Sequence, residues 1–168
     1  MKKVLFLLVL AMLPNLLLAT TLKVGKFGDW WFNLEVDNFD GSVAYSAVNF
    51  DLNSQMTIVI QCFRDIQRTR VTLSKENEYL SSNIHDKILV RHKIGRNPIR
   101  SNNWDTVRGE FVMLYGSKAV NFIRGLEGQD VLKFRLTERN GVSHDSSFYL
   151  FGIDKVLNGI LPACGNKR

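Results

Sequence analysis

The run from Gln55 to Cys62 reads Gln-Met-Thr-Ile-Val-Ile-Gln-Cys and is rich in β-branched residues. Successive side chains on a strand point to opposite faces, so a period of two puts Met56, Ile58, Ile60 and Cys62 together. That row is apolar and ends in a thiol, so the segment reads as an inner strand with its cysteine at the core. The chain has one other cysteine, Cys164, just beyond an amphipathic stretch near its end. Two cysteines exclude a multi-disulfide scaffold and a four-cysteine zinc site.

Whether the two thiols pair depends on where the chain goes. Lys2 and Lys3 precede the apolar run Val4 to Leu13; Pro14 and Asn15 interrupt it, and Leu16-Leu17-Leu18-Ala19 leads to Thr20. A basic start, a short apolar run and a small exit residue describe a secretory signal peptide over residues 1–19. The alternative is an uncleaved anchor, but the apolar stretch of about 16 residues falls short of the ~20 that a spanning helix needs. No later stretch is apolar enough to span. In an oxidising compartment a cysteine pair normally bridges. A Cys62–Cys164 disulfide would close a loop with a separation of 102 residues, which the chain-entropy view values at ~4–5 kcal/mol. A catalytic thiol would need a neighbouring base, and a metal site would need ligand spacing; neither is visible.

The mature part, residues 20–168, reads as one β-rich domain. Expected strands are Asp29–Val36, Ser42–Phe50, Met56–Arg64, Gln67–Ser74, Lys87–Ile94, Arg108–Tyr115, Val131–Thr137 and Ser146–Phe151. Asp40-Gly41 and Asn140-Gly141 mark turns, and Gly95 to Asn103 reads as a loop. Ser117 can cap a helix with Ala119, Phe122, Ile123 and Leu126 on one side, and Gly152 to Leu161 spaces Ile153, Val156, Leu157 and Ile160 for a second that Pro162 stops. The pattern predicts a mainly β fold: a β-sandwich or small barrel of about 8–9 antiparallel strands, with short helices near 117–126 and 152–161.

The C-terminal third carries a family resemblance. Ser147-Phe148-Tyr149-Leu150-Phe151-Gly152-Ile153-Asp154-Lys155-Val156-Leu157, followed by Leu161-Pro162-Ala163-Cys164-Gly165, resembles the ending of the type VI secretion-associated VasI/TagO family. Trp30 or Trp31, the strand Ile58 to Cys62, Val90-Arg91, Trp104 and the segment Ala119 to Leu126 agree in order. The chain is also similar to the invasion-associated locus B group of small exported bacterial proteins. It departs from the VasI/TagO pattern at His92-Lys93, where an acidic residue usually follows the strand arginine, and at Asn166-Lys167-Arg168, where a tryptophan often follows Cys-Gly. The resemblance implies a periplasmic or secreted accessory protein of the bacterial envelope from a type VI secretion-associated family; it does not imply a working type VI apparatus, because proteins like this occur without one.

Few residues suggest chemistry. Ser143-His144-Asp145 has the composition of a catalytic triad, but adjacent side chains diverge and cannot form a nucleophile–base–orienter chain; it reads as a polar turn. His85, His92 and His144 lack metal-ligand spacing, and Glu76 and Glu78 are not marked as an acid/base pair. No nucleotide-binding glycine loop occurs. The reading assigns no catalytic residue, no metal and no cofactor. His92 falls in phase with Ile88, Val90 and Ile94, as a histidine at the core edge would.

The basic residues are the remaining lead. Arg68 and Arg70 are expected to alternate outward on one strand, Lys87, Arg91 and Lys93 on another, and Lys133 and Arg135 on a third, with Arg96 and Arg100 in the loop. Together they would form a cationic surface for an envelope protein or an anionic envelope surface. Solvation of an outer strand face explains such residues equally well. The formal charge of +6 falls to +4 once Lys2 and Lys3 leave, too mild to imply nucleic acid. The resulting expectation is an accessory binding protein, not an enzyme. A cell-wall-acting enzyme, or a secreted inhibitor or effector of a host or competitor protein, is the alternative.

Overall fold

The computed structural model describes residues 20–36, 41–53, 55–75, 87–138 and 140–164. The expected signal peptide at residues 1–19, the expected turn over residues 37–40, Glu76, Glu78, His85, Asp86 and residues 165–168 lie outside the described residues. Ten strands form one antiparallel sheet: β1 (Thr20–Phe27), β2 (Trp30–Val36), β3 (Val43–Phe50), β4 (Met56–Phe63), β5 (Arg70–Lys75), β6 (Lys87–Ile94), β7 (Arg100–Val107), β8 (Phe111–Tyr115), β9 (Val131–Thr137) and β10 (Ser143–Tyr149). Their spatial order is β1-β2-β3-β4-β5-β8-β7-β6-β9-β10. Two helices, α1 (Gly116–Arg124) and α2 (Ile153–Ile160), complete the fold. Among the described residues, no helix is long and apolar enough to cross a membrane.

The fold is mainly β and antiparallel with two short helices, as the periodicity predicts. Strand alternation holds at β4, β6 and β9, where every second residue is buried. Three differences from the sequence reading have local causes. Thr20–Phe27, given no assignment there, pairs with β2 as an edge strand. Arg100–Asn103, expected as loop, belongs to β7: this polar stretch is exposed and pairs with β6, so its composition hides its conformation. Arg108, expected to open a strand, instead turns the chain with Gly109, both in the left-handed region at φ 56° and 72°.

The sheet curls until its last strand meets an early turn. Leu52 N donates to Ser147 O across 3.0 Å, and Asn49 Nδ2 donates to Tyr149 O across 2.6 Å. These contacts stop short of a continuous barrel ladder. Inner rows from both ends of the sheet, including Trp30, Ile58, Ile60, Val90, Trp104, Phe134 and Phe148, share one apolar core. Burial of such side chains, each contributing ~1.5–3 kcal/mol, is what orders the curl.

The helices cover that core at two places. α1 follows β8 directly: Gly116 takes φ 62° and its N–H donates to Thr69 O. Ser117 does not cap it; Tyr115 holds the cap position without a side-chain bond. Ala119, Val120, Phe122 and Ile123 face inward, and Leu126 is buried in the following turn. α2 buries Ile153, Val156, Leu157 and Ile160 and lies against β1, β2 and β3. At its start, Gly28 and Gly152 meet back to back at φ 61° and 88°; a side chain on either would strike the other turn's backbone. Asp29 N donates to Phe151 O across 3.0 Å in the same contact. At its end, Cys164 is joined to Cys62 of β4, with Cα atoms 4.6 Å apart and both residues buried.

Two outcomes follow from this double anchoring. Replacing Cys62 and Cys164 with serine should lower stability by ~2–4 kcal/mol and open α2 to limited proteolysis. Unaltered thermal unfolding under oxidising conditions would contradict the anchoring role. Gly152→Ala should cost ~2–3 kcal/mol in denaturant unfolding, because no side chain fits that contact; a wild-type midpoint would contradict it.

Candidate functional site

The outer faces of β6 and β9 bring four cations together. The two strands are antiparallel neighbours, with Arg91 opposite Arg135 and Lys93 opposite Lys133. All four are exposed. Directly opposite side chains on one face have Cβ atoms ~4.5–5.5 Å apart, and like charges there are destabilising. Among the described residues, Arg135 alone of the four has a counter-ion within the face: Asp145 on β10, its direct neighbour, receives Nε and NH2 at 2.7 and 2.6 Å. That pair holds the Asp145 carboxyl below and the Arg135 guanidinium above their ordinary ranges, in each case mainly through the hydrogen bond. Both groups are largely exposed, so the bridge contributes little to stability. Arg91, Lys93 and Lys133 line a groove of about 380 Å³ together with Ile99 and Ser147. Ile99 and Leu89 add exposed apolar surface.

The remaining basic residues do not join this face. Strands β8 and β7 separate β5 from β6, so Arg68 and Arg70 stand elsewhere. Arg68 is not on a strand; it ends the 3-10 turn Ile66–Arg68. Its guanidinium lies 4.6 Å from the centre of the Phe63 ring, and that of Arg70 lies 5.8 Å from it. Arg70 Nε also donates to Gln61. Lys87 shares the outer side but stands across from Asp105. Arg96 sits exposed in the β6–β7 turn, and Arg100 opens β7 opposite His92. The expected continuous cationic surface is therefore a compact cluster on β6 and β9. A sequence cannot show that β6 pairs with β9 across an intervening hairpin, β7–β8, and a helix.

His92 occupies the inner side of β6, 5% exposed. It packs edge-on to Phe122 of α1 at 5.2 Å and tilted to Phe134 of β9 at 6.2 Å. Trp104 meets both phenylalanines edge-on at 5.7 and 5.8 Å. Such edge-to-face pairs each add ~0.5–1.5 kcal/mol beyond burial. Burial, and secondarily the Arg100 guanidinium, hold the imidazole pKa below 6.5. The ring is thus a neutral member of an aromatic cluster.

The Ser143–Asp145 tripeptide is strand, not turn, and its members go separate ways. Ser143 Oγ lies 3.1 Å from Thr137 Oγ1. His144 Nε2 lies 2.8 Å from a Glu138 oxygen, and Asp145 holds Arg135. Strand alternation turns His144 to the opposite side from Ser143 and Asp145, and each of the three engages a different partner. Among the described residues, no group of three or more His, Cys, Asp or Glu is arranged to hold a metal.

Comparison with known proteins gives a likeness of fold. A solved structure, invasion associated protein b from Bartonella henselae, matches with a TM-score of 0.56 at 16% sequence identity, over 83% of this chain and 96% of that one. No family model matches the chain, and no curated protein does. The chain therefore shares the architecture of that invasion-associated protein.

The state of His92 sets a pH dependence. Its neutral form is favoured in the fold, whereas an unfolded imidazole takes a proton near pH 6.5. Its contribution is complete above that value and is lost as pH falls through the lowered native pKa. His92→Phe should accordingly flatten the fall of Tm between about pH 7 and 5 relative to wild type. Parallel Tm curves for the two proteins over that interval would contradict a neutral His92.

Proposed function

We propose that this protein is an exported accessory protein of the bacterial envelope, held in the periplasm or secreted, that binds an anionic envelope surface through β6 and β9. The observation that carries the reading is the placement of Arg91 opposite Arg135 and Lys93 opposite Lys133. Repulsion across two adjacent register positions is a cost to folding that Asp145 offsets at only one of the four cations. An anionic partner relieves the rest. A face that merely needed solvation would be served as well by mixed charges. The N-terminal signal pattern and the Cys62–Cys164 bond support export, and the likeness to the invasion-associated protein agrees with that setting. An association with type VI secretion is the finer form of this reading and rests on the C-terminal sequence motif.

The test is co-sedimentation with vesicles. The full chain should bind phosphatidylglycerol-containing vesicles and release as salt rises, since screening lengths shrink to ~3 Å at 1 M. Phosphatidylcholine vesicles should not retain it. At ~1 kcal/mol per basic residue near an anionic surface, the triple variant Arg91→Glu/Lys93→Glu/Lys133→Glu should bind ~100-fold more weakly. Lys133→Glu alone places opposite charges across from one another, so it should weaken binding while gaining ~0.2–1 kcal/mol of stability. Equal retention of wild type and triple variant would refute the assignment.

A further inference from the structure

The inner side of β6 presents a second site, separated from the cationic face by the strand itself. Between α1 and the β6–β7 hairpin lies a groove of about 430 Å³. Its apolar walls are Ile94, Leu114 and Phe122. Arg100 on β7 and Lys118 in the first turn of α1 also line it, and among the described residues no acidic side chain does. Asn102 and Asn121 add amide groups on its two sides. His92 lines the same groove, buried, and its Nδ1 has no hydrogen-bond partner. A buried ring nitrogen without a partner is uncommon, because its desolvation is uncompensated. Here it coincides with two cations and two amides gathered on an apolar wall.

We propose that this groove binds a small organic oxyanion, an anionic head on a short apolar body. Its volume falls within the ~300–1,000 Å³ range of small-molecule sites, which combine mostly apolar walls with a few polar groups. Arg100 and Lys118 supply charge-assisted hydrogen bonds to the head. Asn102 and Asn121 donate amide hydrogens to its remaining oxygens. Phe122, Ile94 and Leu114 take the apolar body. Because α1 contributes Lys118, Asn121 and Phe122, the β6–β7 hairpin His92, Ile94, Arg100 and Asn102, and β8 Leu114, an occupant would bridge helix and sheet. The strand pattern assigns the two sites to opposite faces: Arg91 and Lys93 point outward, and His92 between them points inward.

Titration of the full, disulfide-bonded chain with phenyl phosphate, followed by amide and side-chain NMR shifts, tests this directly. Saturable shifts should centre on His92, Arg100, Lys118 and Asn121. Inorganic phosphate, lacking the body, and benzyl alcohol, lacking the head, should each bind more weakly. Arg100→Gln should raise the Kd about tenfold or more, and Lys118→Gln similarly. The triple Arg91→Glu/Lys93→Glu/Lys133→Glu variant should keep its affinity for phenyl phosphate, which separates this site from the outer face. Absence of saturable shifts in the groove overturns the proposal. So does an unchanged Kd in Arg100→Gln with its Tm intact, or shifts that centre on Arg91, Lys93 and Lys133.

Discussion

Cys62 ends the inner row of β4, and its bond to Cys164 draws the last turn of the chain back onto that row. The curled sheet has an apolar interior open on the β1–β3 side until α2 lies over it. An eight-residue helix has little stability of its own. It persists because both ends are held, one by the disulfide and the other by the Gly28–Gly152 contact. Between those anchors, Ile153, Val156, Leu157 and Ile160 complete the core. The architecture therefore suits an oxidising compartment, where such a covalent anchor forms and persists.

With the core closed, β6 is the strand that the two proposed sites share. It pairs with β7 on one side and β9 on the other. Its outer side chains meet those of β9 as a concentrated positive charge, and its inner side chains meet α1 through the His92–Phe122 contact. One strand thereby supplies an exposed electrostatic surface and the floor of a groove. The aromatic group of His92, Trp104, Phe122 and Phe134 fixes the distance between sheet and helix. It holds Lys118 and Arg100 in place on the groove they share.

Most of this secondary structure was legible because alternation and helical spacing are local. Lys87–Ile94 and Val131–Thr137 are strands over the residues their pattern implies. The polar run Arg100–Asn103 escaped notice because an exposed strand beside a hairpin turn has no buried alternate positions to announce it. Ser143–Asp145 resembled a turn for the same reason. The candidate sites were only half legible. The outward cations of β6 and β9 could be named, but their mutual opposition could not, and Arg68 and Arg70 were grouped with them on chemistry alone. Lys118, Asn102 and Asn121 carried no signal, since a helix-surface lysine and exposed asparagines are ordinary in isolation.

The sequence by itself determined which residues face inward on elements with a clear period, such as β4, β6, β9 and α2, that the body is pleated, and that two cysteines were available to tie its end down. Those properties depend on neighbours within a few residues, where backbone period and side-chain polarity act directly. Tertiary structure alone decided that β6 lies beside β9, that Arg91 confronts Arg135, and that α1 stands over His92. Strand order is set by how a whole set of apolar rows can share one interior. That choice is made by the packed core, in which residues far apart in the chain compete for the same contacts.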